Sequence, residues 1–133
     1  MVVSALDSVV GQALAGAGYH LSYVGKWGIA GDPLQAGFHD YTPGLSYRAW
    51  REAQGLPPVP TEGGWLGGRD HHVGPEQSQV GWEAGHVIDR LRAAAAQKTP
   101  FLIRWDPSGP HLPNVVPEPY FSLYPPDQIE PWP

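Results

Sequence analysis

Cysteine is absent from this 133-residue chain. Disulfides, a thiolate nucleophile and Cys-ligated zinc are thereby excluded. Charge is sparse as well: eight Lys and Arg stand against 13 Asp and Glu, a formal net charge of −5 with six histidines counted neutral. That balance predicts no nucleic-acid partner, although a single anionic group is still a reasonable ligand. Long apolar runs are missing too. Nothing approaches the roughly 20 residues of a membrane span, and Met1 to Asp7 has no charged start or sustained apolar segment, so neither a membrane partner nor a targeting address is expected. The chain has no Gly-x-Ser-x-Gly elbow, no His-Glu-x-x-His pair and no phosphate loop. Its carboxylates are scattered, in no cluster adequate for calcium or magnesium.

Glycine and proline are plentiful instead, at 17 and 16 residues, while 41% of the chain is hydrophobic. This predicts one domain, residues 1–133, with a modest core and long loops. Val3, Leu6, Val10, Leu14 and Ala17 share one helical face over 3–17, Ser4 and Asp7 resemble a capping box, and Gly16 and Gly18 supply the stop. Tyr19 to Gly25 is aromatic and β-branched, a strand leading into Lys26-Trp27-Gly28. Residues 30–79 hold no long periodic segment. Within them only Ser46 to Gln54 is a helix candidate, through Tyr47, Trp50 and Ala53, and a connection of this length is usually functional or disordered. If it folds, Trp50 and Trp65 are expected to cover a site.

The clearest helix runs from Gln79 to Gln97, with an apolar stripe of Val80, Ala84, Val87, Ile88, Leu91 and Ala95, and with Asp89, Arg90, Arg92 and Gln97 away from its centre. A strand from Phe101 to Trp105 follows and is stopped by Pro107, Gly109 and Pro110, which leaves His111 just past its carboxyl end. In the Pro-rich tail, 119–123 is expected to form one helical turn with Tyr120, Phe121 and Leu123 packing back. The fold class is therefore α/β: two parallel strands, each preceded by a helix, joined by long Gly/Pro-rich loops.

Lys26 and His111 share a position logic, because each follows a strand and would project from the same edge of the sheet. A lysine ammonium and an imidazole there make an anion site. The alternative is a solvated lysine and a loop histidine held by backbone groups. Adjacent His71 and His72 point apart and fall short of a zinc set. His86 reads as a boundary residue of its helix, and His20 and His39 have no partners at informative spacing.

Taken in order, Ala17-Gly-Tyr-His-Leu-Ser-Tyr-Val-Gly-Lys-Trp27, Gly37-Phe-His-Asp-Tyr41, the helix 79–97, Pro100-Phe-Leu-Ile-Arg-Trp-Asp-Pro-Ser-Gly-Pro-His-Leu-Pro113 and Pro117-Glu-Pro-Tyr120 resemble the sulfatase family of the alkaline-phosphatase-like fold. The resemblance covers most of the chain. It implies a partial alkaline-phosphatase-like sandwich, a small-molecule or glycan sulfate ester as ligand, and Lys26 and His111 as sulfate-binding, charge-stabilising catalytic residues, the histidine also placed to protonate the leaving alcohol. It further implies calcium and a formylglycine made from Cys or Ser in a Cys/Ser-x-Pro-x-Arg motif. This chain carries no such motif, no paired aspartates near its amino terminus, no later Asp-Asn or Asp-His pair, and Gly28 where the family usually has histidine. The expectation is thus an internal piece of a sulfuric ester hydrolase, truncated rather than degenerate, inactive alone and without cofactor. Non-catalytic sulfated-glycan binding, or descent from a phosphoester hydrolase of the same fold, are the alternatives.

Overall fold

The computed structural model describes residues 4–130, with side chains from Val10 onward. Its centre is a parallel strand, β1 (His20–Gly25), flanked by β2 (Asp40–Pro43) and β4 (Phe101–Asp106) in the order β2-β1-β4. Ser22 lies beside both Asp40 and Ile103, and Tyr23 beside Tyr41 and Arg104. Every residue of β1 after His20 is buried. A parallel strand covered on both faces can be apolar throughout, which is why Leu-Ser-Tyr-Val needs little alternation.

Side-chain alternation assigns the two faces. Leu21 and Tyr23 point to one, where they pack with Ala36, Phe38, Leu102 and Tyr41 under Leu14 and Ala15 of α1 (Ser4–Gly16). Tyr23 meets Trp27, Phe38 and Tyr41 edge to face, with ring centroids 5.1, 5.2 and 5.6 Å apart. Such edge contacts align the positive ring rim with a neighbouring π face. On the opposite face lies α3 (Gln79–Gln97), reaching Trp105 of β4 and Asp40 and Thr42 of β2. The molecule is a mixed α/β layering of helix, parallel sheet and helix.

Several expectations need correction. The sheet has three strands, not two, and β2 has no helix before it: β1 reaches β2 through the turns of 26–39. Asp-Tyr-Thr-Pro carries no strand-like apolar pattern, and β2 is held by its polar side chains instead. Asp40 accepts from Ser22 Oγ and from Arg90 Nε, both at 2.6 Å. The long connection is ordered as well: α2 (Ser46–Ala53) is followed by β3 (Gly67–Arg69), which pairs in parallel with β5 (Asn114–Val116).

The orientation of α3 is the largest departure. Its face toward the sheet carries Glu83, Arg90 and Ala94, whereas Val80, Ile88 and Leu91 are 47%, 45% and 42% exposed. The cause is satisfaction of polar groups on the sheet: Trp105 Nε1–H, the Asp40 carboxylate and the Thr42 hydroxyl all find partners on Glu83 or Arg90. Leaving such groups unpaired in a buried layer is more destabilising than leaving three aliphatic side chains half exposed. In the tail, Phe121 N–H donates to Pro117 O at 3.1 Å and closes a turn. Tyr120, Phe121 and Leu123 are nevertheless exposed and do not pack back. The Ser4–Asp7 cap lies outside the described side chains.

Candidate functional site

Strands β1 and β4 end together. Gly25 has φ of +106°, and a Cβ there would sit 2.1 Å from Asp106 O, so only glycine lets the two carboxyl ends approach this closely. The approach allows Lys26 N–H to donate to Asp106 O at 2.8 Å. Beneath it the Tyr23 hydroxyl donates to the Asp106 carboxylate and also lies 3.0 Å from Lys26 O. Burial, and then the Asp106 carboxylate, push that hydroxyl's pKa up, so the phenol keeps its proton and the clasp stays closed. Lys26 thus leaves a rigid strand end.

The loop bearing His111 is tied down from α3. Gln79 Nε2 donates toward Ser108 Oγ at 3.2 Å, Gly44 O at 3.3 Å and Glu83 Oε1 at 3.2 Å, while Trp105 Nε1 donates to Glu83 Oε2 at 3.1 Å. Glu83 is fully buried. Its carboxylate therefore links the last turn of β4 to the loop through one amide. Within the loop, His111 N–H donates to Ser108 O at 3.2 Å, and His111 Nδ1–H donates to Leu112 O at 2.8 Å. A carbonyl can only accept, so the second bond fixes the tautomer and leaves Nε2 for a ligand.

Lys26 and His111 line one cleft of about 1230 Å³ at the carboxyl ends of the parallel strands. That is the edge at which open α/β sheets bind ligands. Its floor is made by Gly25, Gly44 and Ser108, and its far wall by α2 and the segment 55–61. Within the α2 wall is a buried ion pair: Arg51 Nη1 lies 2.6 Å from Asp70 Oδ2, and Arg51 also donates to Tyr47 OH at 3.1 Å and to Pro57 O at 2.8 Å. Although burial disfavours its charge, hydrogen bonds to Asp70 and Tyr47 outweigh that and hold the guanidinium charged. Its Nη2 is buried without an acceptor. Asp70 is itself held by the β3–β5 ladder, since its N–H donates to Val116 O at 2.9 Å.

Trp50 and Trp65 do not cover this site. Trp50 stacks on Tyr47, and Trp65 is 70% exposed. His71 and His72 are exposed, and the His72 N–H donates to Asp70 Oδ1. His86 is half-buried against Trp82, with ring centroids 4.5 Å apart.

His20 and His39, which lack partners in the linear sequence, stack at 4.8 Å; His39 Nδ1 accepts from Leu21 N–H, and His20 Nε2 lies 3.3 Å from Asp40. These contacts, like Arg51–Asp70 and the Glu83 relay, arise from strand register and had no signal in spacing.

The calcium and formylglycine of the resemblance do not fit the residues present. Among the described residues no three His, Asp or Glu side chains converge on a point that could hold a metal ion. With no cysteine and no Ser-x-Pro-x-Arg, a formylglycine has no precursor. No protein-family model matches this chain, and no curated protein matches it.

Proposed function

We propose that the cleft binds the sulfate group of a small-molecule or glycan sulfate ester, as one part of a sulfatase site of the alkaline-phosphatase-like kind. In this reading the chain recognises the ester and does not complete its hydrolysis alone. The observation that carries the reading is that Lys26 and His111, from segments 85 residues apart, meet at one cleft over the ends of adjacent parallel strands. Lys26 supplies a point charge on a flexible stem to sulfate oxygens. His111 supplies Nε2, and because Nδ1–H is committed to Leu112 O, Nε2 donates only as imidazolium. Protonated, it can hold the ester oxygen and deliver a proton to a departing alcohol. The nucleophile is what is lacking, for none of the serines stands in the required motif.

Calorimetry with glucose 6-sulfate tests the reading. Lys26→Ala and His111→Ala are each expected to weaken binding about tenfold or more, as the loss of a charged hydrogen bond does. A wild-type chain that binds no sulfate ester overturns the proposal. So does a robust aryl sulfatase rate in the presence of calcium that His111→Ala abolishes, because recognition without turnover would then be wrong.

A further inference from the structure

The cations of this molecule are mostly spoken for. Arg51, Arg69, Arg90, Arg92 and Arg104 are each ion-paired to a carboxylate. Among the described residues Lys26, Arg48 and Lys98 have no carboxylate within ion-pair distance, and the first two line the cleft. Arg48 is exposed in the first turn of α2, on the wall that faces the strand ends. One turn on, Arg51 keeps a buried Nη2 without an acceptor. In a chain of net charge −5, the cleft lining reverses the balance: Lys26, Arg48 and Arg51 stand against Glu52 and Asp70, and Arg51 and Asp70 are paired with each other. The volume, about 1230 Å³, also exceeds what one sulfate group fills.

We infer that the α2 wall is a second anion subsite, centred on Arg48, and that the ligand suited to the cleft is a sulfate ester bearing a second anionic group, either carboxylate or sulfate. The inference rests on Lys26 and His111 holding the first sulfate. Glu52 lines the same wall, and its charge limits the subsite to one added anion rather than a polyanion. Arg48 presents a planar fork of donors, which matches either oxyanion in a bidentate contact.

Three probes separate the possibilities by calorimetry on the full chain: glucose 6-sulfate, a glucuronic acid sulfate and a glucose disulfate. Both doubly anionic probes are expected to bind at least tenfold tighter than the monosulfate, and a preference for one of them identifies the second group. Arg48→Gln, a change at an exposed position, is expected to erase the advantage and leave monosulfate binding unchanged, while Arg48→Lys, which keeps the charge and loses the fork, retains only part of it. Lys98→Gln removes the same charge outside the cleft and is expected to leave the advantage in place. Equal affinity for all three probes in the wild type overturns the inference, as does an Arg48→Gln effect shared equally by the three, or loss of the advantage in Lys98→Gln. If none of the probes binds, the sulfate reading of Lys26 and His111 fails and the second subsite fails with it.

Discussion

At the scale of single residues, most polar groups buried among the described residues meet a partner from another segment, with Arg51 Nη2 and Arg69 Nε as exceptions. Asp40 shows how the match works. Burial alone would raise its carboxyl, but hydrogen bonds from Ser22 and Arg90, the Arg90 charge and His20 outweigh that and hold it below the ordinary value of 3.8. His86 moves the other way in charge terms: burial, then the nearby Arg90, hold its pKa below 6.5 and favour the neutral ring. As pH falls through 6.5 the unfolded chain therefore takes up a proton that the folded His86 resists, and stability declines. Asp40 adds a second loss below about 3.8, where its unfolded form protonates first. Urea midpoints measured from pH 7 to 3 should fall in the wild type, and His86→Gln should shrink the slope between pH 7 and 5 while leaving the loss below pH 4. An unchanged slope in the variant would refute the assignment to His86.

Among elements, the pairing that matters to the site is the joint ending of β1 and β4. Gly25→Ala places a methyl group on Asp106 O and forces a residue into positive φ. It should destabilise the fold by about 1–3 kcal/mol and weaken sulfate-ester binding, because Lys26 loses the backbone bond that aims it. Gly28→Ala is the matched control: nothing lies within 4 Å of its Cβ position, and its stability should stay within about 0.5 kcal/mol of wild type. Thermal melts of the two variants, with calorimetry on each, check both halves of this expectation. The α2–β3 side has a comparable logic. Arg51 and Asp70 stand 19 residues apart within the long connection, and their ion pair converts a Gly/Pro-rich segment into a fixed wall.

For the whole molecule, an apolar flank of α3 and the edge strand β4 are both left exposed among the described residues. Trp82 and His86 turn one flank of the helix toward Tyr47 and Trp50 of α2. Val80, Ile88 and Leu91 occupy the opposite flank and are exposed, and among the described residues β4 is an edge strand of the sheet. An exposed strand edge and an exposed apolar helix flank each favour self-association. Ile88→Lys with Leu91→Lys should reduce light scattering at high concentration and shift stability by no more than about 1 kcal/mol in total. Had that stripe been packed on the sheet, as its periodicity predicts, each change would cost about 2–5 kcal/mol, so urea melts of the double variant distinguish the two arrangements.

Helices α1, α2 and α3 and strands β1 and β4 were legible in the linear chain, as were the positions of Lys26 and His111 past two strand ends. These follow from periodicity and from Gly and Pro punctuation, which act locally. Strand β2, the β3–β5 ladder and the face that α3 turns to the sheet were not legible, because they are decided by partners far away in sequence. Asp40 meets Arg90 across 50 residues, Arg51 meets Asp70 across 19, and Glu83 meets Trp105 across 22. By itself, then, the sequence determined which segments are regular and which two residues follow the strand ends. Only the tertiary structure decided that those two residues share a cleft, that Arg48 joins them there without an ion-pair partner, and that α3 turns a polar face inward. The physical reason is that hydrophobic periodicity selects an element's conformation, whereas the satisfaction of buried polar groups selects its neighbours.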